Sequence, residues 1–150
     1  MSLATDSIFI AALKSSEDIM QAIGGRLYGT AIPLPDEEAD NVPVPYIIVT
    51  FDGLNNQTQT KDEKYEGCYD TVQIGVEVVG KSLAALHELT QNVRDAILSY
   101  FKENDTPIDE YTFTADAVQY DSLKPCFWQV LRYQCDVYNL TEENDEQNEG

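Results

Sequence analysis

Apolar positions at helical spacing open the chain. Ile8, Phe9, Ala12 and Leu13 make one stripe, which predicts a helix capped by Thr5 and Asp6 and running through Lys14. Ser15-Ser16 followed by Glu17-Asp18 reads as a fresh N-cap with acids in the first turn. Ile19, Ala22 and Ile23 then form the face of a second short helical segment, either separate from the first or continuous with it through a kink at the serines. Gly24-Gly25 offers the left-handed position that stops it. A brief strand, Arg26-Leu27-Tyr28, follows at once. Pro33, Pro35 and Pro43 keep the next stretch extended and irregular. Tyr46 to Phe51 is apolar on both faces except at Thr50, which predicts a central strand.

The second half repeats the two periods. After Asp52-Gly53 comes a polar run, Asn55 to Lys64, too long for a tight hairpin. Val72, Ile74, Val76 and Val78 alternate with Thr71, Gln73, Gly75 and Glu77, so Thr71 to Val79 is an antiparallel strand with one wet face. Gly75 within it marks a bulge or a close neighbouring backbone. Ser82 caps a long helix whose apolar face is Leu86, Leu89, Val93, Ala96, Ile97 and Tyr100. Tyr111 to Tyr120 alternates as one strand, Leu123-Lys124-Pro125 turns, and Phe127 to Tyr138 is a long last strand. Phe127, Leu131, Tyr133, Cys135 and Val137 share its inner face. The order predicts an α+β fold, an antiparallel or mixed β-sheet with helices packed on one face. One domain over residues 1–140 is expected, followed by an acidic, disordered tail at 141–150 that carries no apolar residue.

Charge narrows the choice of partner. The 150 residues hold 27 acids against 9 bases, a net charge of −18. Such a surface repels nucleic-acid phosphate and anionic membrane. Three widely spaced cysteines, Cys68, Cys126 and Cys135, argue against a disulfide framework and a zinc site, and Cys135 reads as a small core residue. No basic region followed by an apolar run opens the chain, so no signal peptide is expected. A soluble protein folding in a reducing cytoplasm is the expectation.

Catalytic chemistry finds little footing. Nucleophile-elbow, zinc-protease, phosphate-loop and EF-hand patterns are all missing. The single histidine, His87, falls on the long helix with no nucleophile or tuning partner implied beside it. The acids Asp36, Glu37, Glu38 and Asp40 lack the glycine turn of a calcium loop and read as a solvated loop. Trp128, Tyr120 and Tyr133 could stack a ligand, but their strand positions favour core or subunit contacts. No catalytic residue, cofactor or metal is expected.

Several segments together resemble the tail terminator and tail-completion (head-to-tail joining) proteins of long-tailed bacteriophages. They are Ala11-Ala12-Leu13-Lys14 and Asp18-Ile19-Met20-Gln21-Ala22-Ile23-Gly24-Gly25-Arg26-Leu27-Tyr28. Pro45-Tyr46-Ile47-Ile48-Val49, Val72-Gln73-Ile74-Gly75-Val76-Glu77-Val78 and the helix Leu83 to Phe101 continue the series. The resemblance covers most of Ala11 to Tyr138 and leaves out the acidic end. It implies a phage or prophage virion protein that is not an enzyme. Such subunits form a ring, a hexamer on the tail, which caps the tail tube and docks the head-completion proteins. DNA passes through the ring without specific binding. The virion tail, and the host cytoplasm during assembly, are the implied locations.

Polarity and length single out two loops as interfaces with neighbouring subunits. One offers Asn55, Asn56, Gln57, Thr58, Gln59, Thr60, Lys61, Asp62, Glu63 and Lys64, within a stretch reaching Glu66. The other, between Pro33 and Pro43, offers Asp36, Glu37, Glu38 and Asp40. A competing reading is an acidic module that mimics DNA and inhibits a DNA-binding protein, although the acids look like tails and loops rather than a spaced phosphate-like stripe. A small-ligand site or hydrolase would need an apolar pocket with a perturbed carboxylate.

Overall fold

The computed structural model describes residues 2–30, 32, 41–56 and 69–139. The expected tail at 141–150 and most of the two polar loops lie outside these residues. A 3-10 turn, Ser2–Ala4, runs straight into helix α1, Thr5–Lys14. That turn displaces the expected cap. Thr5 is buried inside the helix and its hydroxyl donates to the Ser2 carbonyl at 2.6 Å, while the capping position falls to Ala4 with no side-chain bond. Ser16 does cap α2, Glu17–Ile23, by accepting the Ile19 N–H at 3.4 Å, so the serines separate two helices. Ile19 and Ile23 are buried there, whereas Ala22 is exposed. Gly24 closes α2 at φ 61°, and the Gly25 N–H reaches back to the Met20 carbonyl at 3.0 Å. This backward pair satisfies the last turn, and the left-handed residue suits glycine.

Strands β1 (Leu27–Gly29), β2 (Tyr46–Asn55) and β3 (Tyr69–Gly80) follow, then helix α3 (Leu83–Glu103). β4 (Ile108–Ala115), β5 (Gln119–Asp121) and β6 (Cys126–Tyr138) complete a six-stranded sheet. Its order is β1-β2-β3-β6-β4, with β5 also on β6. Only β1 and β2 run parallel. The sheet is therefore mixed and the class α+β, as the periodicity predicts.

Two expectations are revised. β2 is not central, because β3 and β6 hold the middle, in register without a break from Tyr69↔Tyr138 to Gly80↔Phe127. β1 pairs with β2 only at Ile47 to Val49, so the far half of β2 is exposed at Leu54 and Asn55. The alternating run Tyr111 to Tyr120 is two strands, not one. The chain leaves the ladder after Ala115, and the Asp116 N–H bonds the Val130 carbonyl at 2.9 Å. It rejoins at Gln119↔Trp128.

The core lies between the sheet and the helices. Phe9 and Leu13 of α1, Ile19 and Ile23 of α2, and Leu86, Val93 and Ile97 of α3 are fully buried against it. The sheet contributes Ile47, Val49, Val72, Ile74, Val76, Leu131, Tyr133, Cys135 and Val137. Ser82 starts α3 by accepting the Ala85 N–H at 3.1 Å. Phe9 meets the rings of Phe101 and Tyr133 with centroids 5.5 and 5.0 Å away. Every described helix lies on this side, and among the described residues no helix covers the opposite face, called here the open face.

A candidate assembly surface

Side chains alternate across a strand, so the residues between the core positions populate the open face. At its middle they form a polar belt. Thr50, Gly75, Arg132 and Thr114 follow one another across β2, β3, β6 and β4. Arg132 forks onto Asp116, with Nε 3.0 Å from both carboxylate oxygens and one terminal nitrogen at 2.8 Å. Its other terminal nitrogen lies 3.7 Å from Asp52, whose second oxygen accepts the Thr50 hydroxyl at 2.7 Å. These side chains cross directly above Gly75. A Cβ there would lie 2.6 Å from Asp52 Oδ2 and 2.7 Å from Thr50 Oγ1. The bulge sits beside Gly75, in β2, where the register shifts between Phe51 and Gly53.

The end of the sheet that carries the polar loop 57–68 is tied by a buried carboxylate. Asp70 accepts from Asn56 Nδ2 at 2.7 Å through one oxygen and from Asn139 Nδ2 at 2.7 Å through the other. Ser2 donates to the Asn139 side-chain oxygen at 3.0 Å. Burial pushes the Asp70 carboxyl up, but the polar groups of Ser2, Asn139 and Asn56 outweigh it and hold the group below its ordinary value. One side chain thus joins the two ends of that loop to the first turn and to the end of β6. Close by, the Tyr69 hydroxyl donates to Asp109 at 3.3 Å, and its ring meets Tyr138 at 5.2 Å.

Of the residues expected at interfaces, Asn55 closes β2 opposite Thr71 and is exposed, and Asn56 belongs to the Asp70 network. Gln57, Thr58, Gln59, Thr60, Lys61, Asp62, Glu63, Lys64, Asp36, Glu37, Glu38 and Asp40 lie outside the described residues. The flank of the proline-rich loop is placed at the opposite end of the sheet. Val42 is buried there, and its carbonyl accepts from Lys124 Nζ at 2.8 Å. Lys124 also lies 5.3 Å from the centre of the Tyr46 ring, and Tyr46 pairs with Val79. The anchors of the two loops are separated by the length of β3 from Tyr69 to Val79, roughly 33 Å. They cannot serve one small patch.

The remaining candidates disperse. His87 is exposed on α3. Tyr133 is buried among core rings, Tyr120 packs on Phe127 at the sheet's end, and Trp128 faces the open side, so these aromatics make no common platform. Cys135 is fully buried and its thiol is pushed up to about 12 by burial, aided by Asp136. Among the described residues no group of His, Cys, Asp or Glu side chains could hold a metal ion. No described helix is long and apolar enough to cross a membrane.

Sequence alone misses Asp70, Asn139 and the Arg132 belt, although a glycine at Gly75 and a lone arginine in a long strand both hint at the crossing. No family model matches the sequence, and no curated protein matches it. Solved structures do match. A chain in the virion of a native gene transfer agent particle aligns with a TM-score of 0.57 at 11% identity, over 88% of this chain and 92% of that one. The fold is shared with that virion chain almost end to end. The bacteriophage SPP1 gp17 protein is also similar, with a TM-score of 0.47 and 16% identity over 93% of each chain. At such identities the likeness is one of fold.

Proposed function

We propose that this chain is a structural protein of a phage or prophage virion, of the tail terminator or tail-completion kind. It assembles into a ring, six subunits on the tail, that caps the tail tube and joins it to the head-completion proteins. The observation that carries this reading is the near full-length fold shared with a chain built into a virion particle. The surface supports it. Ring subunits meet through two different patches, one on each neighbour. Here two polar loops are anchored at opposite ends of one sheet, and among the described residues β4 has a strand neighbour on one side only. A net charge of −18 suits a channel that DNA must pass without sticking. No catalysis is part of this role.

The acids of the sheet's helix-free face do not favour the DNA-mimic alternative. Asp52 and Asp116 are engaged by Arg132 and Glu77 is half-buried, so these three make no exposed phosphate-like row.

Electron microscopy of polymerising tail-tube protein tests the proposal. With this chain present, tubes should stop growing and carry a ring at one end. Unlimited growth with bare ends would contradict it.

A further inference from the structure

The open face is apolar at one end. Tyr28 on β1, Tyr46 and Ile48 on β2, and Trp128 and Val130 on β6 share it, all half-buried. Among them stands a single carboxylate. Glu77 pairs with Ile48 on one side and Val130 on the other, and is itself half-buried. It makes no hydrogen bond or ion pair with any described residue, and burial alone pushes its carboxyl up. The described cations near this face are engaged with other groups: Lys124 with the Val42 carbonyl and the Tyr46 ring, Arg132 with Asp116 and Asp52. The titratable groups near Glu77 give it no compensating positive charge. Tyr46 of β2 and Cys126 of β6 both feel its negative charge, and Asp121 of β5 adds its own to theirs.

A carboxylate held among apolar side chains with no partner is costly unless something completes it. A cation does so best, through a charged hydrogen bond and by lying against nearby aromatic rings. Tyr46 and Trp128 stand one residue pair further along the same face, on either side of Val79. A second copy of this chain would bring mostly like charge, since acids outnumber bases 27 to 9. A more basic partner is electrostatically favoured. We infer that this end of the open face is a docking site for a different protein chain, and that Glu77 receives an arginine or lysine which that partner presents between apolar residues. The identity of the donor as another virion protein rests on the proposed function. The chemistry of the site does not.

Trp128 is the only tryptophan in the chain, so its emission reports on the site directly. The probes are acetyl-Leu-Arg-Leu-amide and the same peptide with citrulline in place of arginine, which keeps the shape and removes the charge. Titrated into the full chain at pH 7.5, an assay condition chosen to keep a raised carboxyl ionised, the arginine peptide should shift Trp128 emission. The citrulline peptide should bind about tenfold more weakly or worse, the loss expected for one charged hydrogen-bonded pair. Glu77→Gln, with circular dichroism as the check on folding, should bring the arginine peptide down to the citrulline level. Equal binding of the two peptides, binding unchanged in E77Q, or no response at millimolar peptide would each overturn the inference. Ring formation is read separately by light scattering, so failure of one reading is distinguishable from failure of the other.

Discussion

Tyr133 carries a hydroxyl buried in the core with no hydrogen-bond partner among the described residues. Burial, with Tyr111 beside it, keeps that group protonated far beyond neutral pH. Leaving a polar group buried and unpaired costs about 1–3 kcal/mol. Tyr133→Phe removes the group and keeps the rings of Phe9 and Phe113 in contact. Thermal unfolding of the variant should show stability unchanged or raised by about 1 kcal/mol. Asp70 is the opposite case. Its carboxyl lies below its ordinary value, so its contribution to stability is present above the unfolded value near ~3.9 and is lost as pH falls through the lower folded value. Asp70→Asn turns an amide donor toward Asn56 or Asn139 and should cost about 1–3 kcal/mol at pH 7. Denaturant titrations at pH 7 and below pH 4 should show that penalty shrinking on acidification. Glu77 carries the reverse sign. Its folded carboxyl is raised, so the native state is favoured below the unfolded value near ~4.3, and that advantage fades as pH rises through the folded value.

At the scale of elements, the glycine in β3 is the informative exception. Thr50, Asp52 and Arg132 cross over it, and any larger residue displaces them. Gly75→Val should break the belt and lower stability by about 1–3 kcal/mol, measurable by thermal unfolding, with the sheet retained. Ser82→Ala should remove the α3 cap at a cost of about 1 kcal/mol. These elements differ in how readable they are. α3 and β3 follow from local periodicity, because Leu86, Leu89, Val93 and Ile97 repeat along a helix and Val72 to Val78 alternate. The division of β4 from β5 depends on Asp116 meeting Val130 and Arg132, which no local pattern encodes. The place of β2 as second strand from the edge depends on β1 pairing outside it through Leu27–Gly29, a three-residue strand with no period to read. Thr5 looks like a cap in the sequence but lies inside the helix, because a 3-10 turn precedes it and such a turn has no period to detect. The candidate site is legible only as polar loops, since Asp70 gathers Asn56 and Asn139 from 14 and 69 residues away in the chain.

Among the described residues the sheet has one face packed with helices, one face without them, and loop anchors at both ends. That distribution fits a subunit completed by its neighbours better than one that works alone. Alanine substitutions across Thr58 to Lys64 should block ring formation or tube docking and leave the subunit folded by circular dichroism. Intact assembly in that variant would remove this loop from the account. Multi-angle light scattering on the purified chain, alone and then with tail-tube protein, is the most direct test of the assembly claim. The account predicts a ring of about six subunits, formed alone or on meeting the tube protein. A monomer at every concentration that ignores the tube protein would contradict it.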